Sequence, residues 1–232
     1  MGRLIILAVA ALAFAVACSG KDDDRSEAAA FLLPWQSDEA WFLVGGPHCD
    51  SPREVCPSGA TRYALDFAPR APLTGFLCDP SENDRYLVTA AAAGIVRIAD
   101  RSLVEIEHEG GIRTGYYHLR SSSMAVAPGE IVEPGAPLGN PSCEHRRGGT
   151  VPGPHVHFYF CATGDPAAAC LDDRSSFLEA SGRSLAGWLI QAGAENYAGS
   201  LLRGGETRTA ALFNCSTDPD PECGNARNDV AR

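Results

Sequence analysis

The sequence predicts an all-β domain, an antiparallel sheet forming an open groove whose walls are disulfide-held loops. Three observations predict it. From Phe31 onward, short apolar runs are cut by Gly and Pro at roughly 8–12 residue intervals, the punctuation of many short strands. In Gly153-Pro154-His155-Val156-His157-Phe158-Tyr159-Phe160, apolar Val156, Phe158 and Phe160 alternate with His155, His157 and Tyr159, the period of a half-buried strand. No heptad and no internal repeat runs through the chain, which argues against coiled-coil and solenoid architectures.

Taken in order, the elements follow local chemistry. Leu87 to Ile98 reads as strand, turn and strand, broken at Gly94. Leu103 to His108 and Ile112 to Leu119 flank Gly110-Gly111, a hairpin signal. Ile131-Val132 forms a short strand between the turns Pro128-Gly129 and Pro134-Gly135, and Leu138-Gly139 begins the next. The strand of His155 follows a Gly-rich loop over 148–153. Ser176 to Leu189 fits more than one reading, with Trp188 expected to seal the sheet.

With 232 residues, 45% hydrophobic and 21% charged, the chain can bury one sizeable core. Its formal net charge is −10 and its densest basic cluster is the Arg146-Arg147 pair. That balance argues against a nucleic-acid partner, because phosphates need a concentrated positive face.

The N-terminus sets the expected compartment. Arg3 gives a positive start and Leu4 to Phe14 an apolar run too short to span a bilayer comfortably. Small residues then close the segment, so 1–17 reads as a cleaved export signal. Ala15-Val16-Ala17-Cys18 resembles a bacterial lipoprotein box, which implies lipidation of Cys18 and a membrane anchor in the cell envelope. Ordinary secretion is the alternative. A polar tether containing Asp22-Asp23-Asp24 is expected over 18–32, the folded domain over 33–213 and a polar tail over 214–232.

Of nine cysteines, Cys18 set apart leaves eight, an even number that suits an oxidising compartment. Three pairs are close in sequence: Cys49 with Cys56, Cys161 with Cys170, and Cys215 with Cys223. Cys78 and Cys143 remain for each other. Structural zinc on cysteine is disfavoured, since no Cys-x-x-Cys occurs.

Chemistry rests on few groups. Side chains at i and i+2 of a strand share a face, so His155 and His157 can enter one pocket. Asp66 lies among apolar neighbours in Tyr63-Ala64-Leu65-Asp66-Phe67-Ala68, where an ionised carboxylate needs a compensating cation. His48 follows the turn-forming Gly45-Gly46-Pro47, and His118 ends the second hairpin strand. His108, between Glu107 and Glu109, reads as a solvated surface residue, and His145 belongs to a charged loop before the His155 strand. Tyr116, Tyr117 and Tyr159 read as sheet packing or groove lining.

Gly-Gly-Pro-His48, Ala-Leu-Asp66-Phe, Tyr-His118-Leu and His155-Val-His157-Phe occur in the order seen in lysostaphin-type zinc endopeptidases, which are bacterial cell-wall hydrolases. The wide gap between His48 and Asp66 is most similar to the beta-lytic and staphylolysin branch. In the commoner branch a histidine stands four residues before the aspartate, and here that position is Arg62. The resemblance covers about residues 33–205, including Gly187-Trp188 and Tyr197-Ala198-Gly199. It implies one Zn²⁺ held by His48, Asp66 and His157, with His155 as general base and His118 holding the oxyanion as imidazolium or neutral donor. The implied substrate is a stem or bridge peptide of peptidoglycan, and a groove bordered by loops suits an extended peptide.

Two other readings compete with this one. Gly129-x-x-Val132-x-x-Gly135-x-x-Leu138-Gly139 resembles a biotinyl or lipoyl carrier hairpin, but such a carrier needs an exposed lysine and Lys21 is the only lysine. The alternative is a non-catalytic peptidoglycan-binding relative that regulates another hydrolase. It would follow if the Cys49–Cys56 loop swung His48 away from Asp66.

Overall fold

The computed structural model describes residues 31–49, 56, 59–69, 78, 84–211 and 229–231. The export signal with Cys18, most of the tether and the Cys215–Cys223 pair lie outside the described residues.

Fifteen strands are described. They are β1 (Ala40–His48), β2 (Ala64–Pro69), β3 (Val88–Thr89), β4 (Gly94–Asp100), β5 (Leu103–Glu107), β6 (Arg113–Tyr117), β7 (Ile131–Val132), β8 (Pro137–Gly139), β9 (Ser142–Glu144), β10 (Thr150–Cys161), β11 (Ser184–Leu185), β12 (Trp188–Ala192), β13 (Gly199–Arg203), β14 (Glu206–Thr209) and β15 (Asp229–Ala231). Helical pieces among the described residues are short 3₁₀ turns of three residues. Nine strands form the main sheet in the order β15-β1-β2-β10-β6-β5-β4-β7, with β9 paired to β10. Strands β11 to β14 make a second sheet, and β3 pairs with β8. Every pairing between named strands is antiparallel, as short connections allow.

Alternation divides the main sheet into two faces. Leu65 and Phe67 of β2, Val156, Phe158 and Phe160 of β10, Tyr116 of β6, and Val104 and Ile106 of β5 bury into one large core. That core includes Trp188 and Leu201 of the second sheet, so Trp188 does seal the main sheet. The opposite face carries Tyr63, Tyr117, Tyr159, Cys161 and Phe177 as a smaller cluster. Cys161 is bonded to Cys170, Cys78 to Cys143, and Cys49 to Cys56.

Two local expectations change. Gly94 opens β4 rather than breaking a turn, and the break falls on 90–93. The reason is close approach: a Cβ on Gly94 would lie 2.4 Å from the Glu107 carbonyl. His108 is buried, not a solvated surface residue. One ring nitrogen pairs with the Ala93 carbonyl at 2.7 Å and the other with Thr114 Oγ1 at 2.8 Å, so neighbouring acids were a poor guide.

Under the second face lies a buried polar row. Glu105, Gly115 and Tyr159 stand opposite one another on β5, β6 and β10. The Tyr159 hydroxyl donates to Glu105 at 2.6 Å across the bare Gly115, and Arg113 pairs with Glu105 and Glu107. A Cβ on Gly115 would fall 2.0 Å from the Tyr159 ring. Gly115→Ala is therefore expected to destabilise by about 3 kcal/mol, the upper range of core overpacking, measured by urea unfolding. An unchanged midpoint would contradict this packing.

Candidate metal centre

Register builds the site. His157 of β10 stands opposite both Asp66 of β2 and Tyr117 of β6, in a row across three strands. His155, two residues earlier, shares that face. His48 reaches it through a bulge. Gly45 pairs with Asp66 and His48 with Ala64, so three steps on β1 oppose two on β2. The extra residue turns the His48 side chain to the Asp66 face. Gly45 and Gly46 are needed for crowding: a Cβ on Gly45 would sit 2.8 Å from Asp66 Oδ2, and one on Gly46 2.7 Å from the Gly199 nitrogen.

Three ligand atoms converge. His48 Nε2 lies 3.2 Å from His157 Nδ1 and 3.6 Å from Asp66 Oδ1, and His157 Nδ1 lies 3.0 Å from Asp66 Oδ1. The His48 Nδ1–H donates to the Gly46 carbonyl at 2.8 Å, which leaves Nε2 bare and aimed inward. Tetrahedral zinc with bonds of about 2.0–2.1 Å separates its donors by roughly 3.3 Å. The observed edges bracket that value, so the donor set fits zinc. The disulfide of Cys49 does not swing His48 away, which removes the ground on which the regulator reading stood.

Two further histidines border this triad. His155 Nε2 lies 3.8 Å from Asp66 Oδ1 while its Nδ1 bonds the Gly153 carbonyl at 2.8 Å. His118 lies with its ring centroid 4.7 Å from that of His155. Its Nδ1 bonds the Glu144 carbonyl at 2.7 Å, and its backbone carbonyl accepts from Ser142 N and Oγ. Strand β9 thus holds both ends of a residue whose φ is +67°, left-handed backbone that His tolerates better than most side chains. With Nδ1–H given to a carbonyl, a neutral His118 presents a bare Nε2, so donation from that atom needs the imidazolium.

Burial dominates the electrostatics. It pushes the His48 pKa down to about 4, with repulsion from His157 and His155 adding to it and Asp66 opposing. His118 is driven well below 6.5, first by burial and then by His155 and His157. For Asp66, burial alone would raise the pKa, but His48, His155 and His157 together hold it far below the carboxylate range. In metal-free protein the unfolded histidines therefore bind protons that the folded ones refuse. Stability is full above pH 6.5 and is lost as pH falls from 6.5 towards about 4. Chelator-stripped protein should show a melting temperature that drops across this window; a flat profile from pH 7 to 5 would contradict buried neutral histidines.

His145 sits at the edge, its ring 5.9 Å from that of His118 and outside the ligand set. Arg62 does not enter the site; its side chain binds backbone carbonyls of 193–195. Tyr197 was not anticipated as a neighbour of the metal donors, although Tyr197-Ala198-Gly199 had stood out in sequence. Its ring stacks on His48 at 3.8 Å.

A second cluster, Glu105 with Cys161 and Cys170, is no metal site, because its cysteines are joined to each other.

An all-β sheet that brings two imidazoles and a carboxylate together beside two further histidines defines a candidate metal centre. Residues 76–169 match Peptidase family M23, a segment holding His118, His155 and His157 but preceded by His48 and Asp66. Protease LasA of Pseudomonas aeruginosa is 28% identical over 169 residues, 71% of this chain and 34% of that protein, so the chain spans about a third of that relative. The solved structure of pseudoalterin, an M23 metalloprotease from the deep sea, is 25% identical, with a TM-score of 0.61 over 78% of this chain and 95% of that one. The chain is thus similar to peptidase family M23 over residues 76–169, and its fold is similar to that of an M23 metalloprotease.

Proposed function

We propose that the chain is an exported zinc endopeptidase that hydrolyses peptide bonds in the stem or bridge peptides of bacterial peptidoglycan. The observation that carries this reading is the convergence of His48 Nε2, Asp66 Oδ1 and His157 Nδ1 within one ion's reach. The lysostaphin-type motifs support the cell-wall substrate. The disulfides support an oxidising compartment, and the lipobox-like 15–18 supports anchoring through Cys18.

Zinc, when bound, supplies Lewis acidity that brings a water pKa towards 7 and polarises the scissile carbonyl. The chain's own residues do the rest. His48, Asp66 and His157 would hold the ion. His155 offers a bare Nε2 beside the carboxylate and takes the proton from the attacking water. His118, neutral at rest, would become a donor only on taking the proton released by the attacking water, relayed from His155 whose ring lies 4.7 Å away, and would give it up to the leaving amine. As imidazolium it then stabilises the charge on the scissile oxygen. The side chains of His155, His157 and Asp66 retain 15%, 11% and 11% exposure, which leaves the site open to substrate.

The test is to measure bound zinc and the release of new amino groups from purified peptidoglycan, with and without chelator. Stoichiometric zinc with chelator-sensitive release is expected. Tight wall binding with neither metal nor cleavage would sink the proposal.

A further inference from the structure

The unexplained feature next to the metal donors is the turn over 193–198 and the arginine that holds it. Three consecutive carbonyls there point at one guanidinium. Arg62 Nη1 donates to Gly193 O at 2.6 Å and to Glu195 O at 3.2 Å, and Nη2 donates to Ala194 O at 3.1 Å. Arg62 is itself fixed, its backbone nitrogen donating to Glu179 and its carbonyl accepting from Ala180. The turn closes through Gly193 N to Ala198 O at 2.8 Å. Such a rigid planar fork spans several acceptors, which an ammonium on a flexible stem cannot do equally well.

What the turn presents is specific. Tyr197 has φ +67°, unfavourable for a tyrosine, and its ring lies on the His48 ring at 3.8 Å with 15° between planes. Its carbonyl accepts from Gly46 N at 2.8 Å. The Asn196 side chain accepts from Cys49 N at 3.0 Å and donates to Cys49 O at 3.2 Å. The residue after His48 and the one two before it are therefore both tied to 196–197, and the ring between them rests on Tyr197.

We infer that Arg62 is a positioning residue for the metal-binding edge, fixing the 193–198 turn as the platform that orients the His48 ring. This rests on the zinc reading above. Outer groups that orient ligands usually change metal affinity about 10- to 100-fold when removed. They do so because a freed ligand must be ordered again when the ion binds.

The test uses the full chain and zinc alone, titrated against a chromophoric chelator, beside melting of the metal-free protein. Arg62→Ala and Tyr197→Leu should each raise the zinc Kd about 10- to 100-fold, and the double variant should be no weaker than the weaker single. Arg62→Lys, which keeps the charge and loses the fork, guards against misfolding of Arg62→Ala. It should retain the metal-free melting temperature and still bind zinc several-fold more weakly. Wild-type affinity in the Arg62 variants, even with lowered melting, would reduce Arg62 to a structural residue and overturn the inference. Additive losses in the double variant would overturn the route through Tyr197. A wild-type chain that binds no zinc would overturn both this inference and the function it rests on.

Discussion

Asp66→Asn protein is expected to fold and to lose its zinc. The substitution keeps the shape of the side chain on β2, so the row Asp66–His157–Tyr117 stays packed. What it removes is the anionic ligand. Two neutral imidazoles remain, 3.2 Å apart, with no carboxylate to offset the charge of a dication. Zinc affinity should fall by more than the roughly 100-fold that outer-shell changes reach, and hydrolysis should fall to background. Competition titration and metal analysis after gel filtration read the first, amino-group release the second. Full zinc stoichiometry in this variant would remove Asp66 from the ligand set.

His118→Asn should behave in the opposite way. Asparagine tolerates the +67° φ at this position, so the variant tests the ring and not the backbone. It cannot take up a proton near neutrality. Turnover is expected to fall about 10²- to 10³-fold with zinc content unchanged, the usual size of a lost proton acceptor or oxyanion donor. The comparison to make is kcat on a soluble peptide beside metal content of the same sample. Loss of zinc together with activity would instead move His118 into the ligand shell.

Much of this arrangement was legible in the sequence because it depends on parity. Alternation in 155–160 put two imidazoles on one face and Val156, Phe158 and Phe160 on the other, and β10 follows that pattern. The hairpin around Gly110-Gly111 was equally local, and β5 and β6 flank it. The approach of His48 was not a matter of parity. A plain strand from Gly45 would send residue 48 to the wrong face, and only the bulge corrects it. That bulge has no composition signal beyond two glycines. His108 failed for a related reason: flanking acids suggested solvent, but its partners Ala93 and Thr114 come from other parts of the sheet. The roles of Arg62 and Tyr197 depend on contacts between residues more than 130 positions apart, which no single-window pattern contains.

The pairing of β15 with β1 has a mechanical meaning. Ala231, Val230 and Asp229 lie against Ala40, Trp41 and Phe42, and the Ala231 carbonyl accepts from the Trp188 indole. Strand β1 is consequently an inner ribbon, stiffened from both flanks, and not a loose hem of the fabric. Loss of residues 229–231 would turn β1 into a sheet edge and bare its amides to strand-seeking neighbours. It would also let the far end of the same ribbon, where residue 48 sits, breathe. Loss of β15 would then be felt at the His48 end of β1.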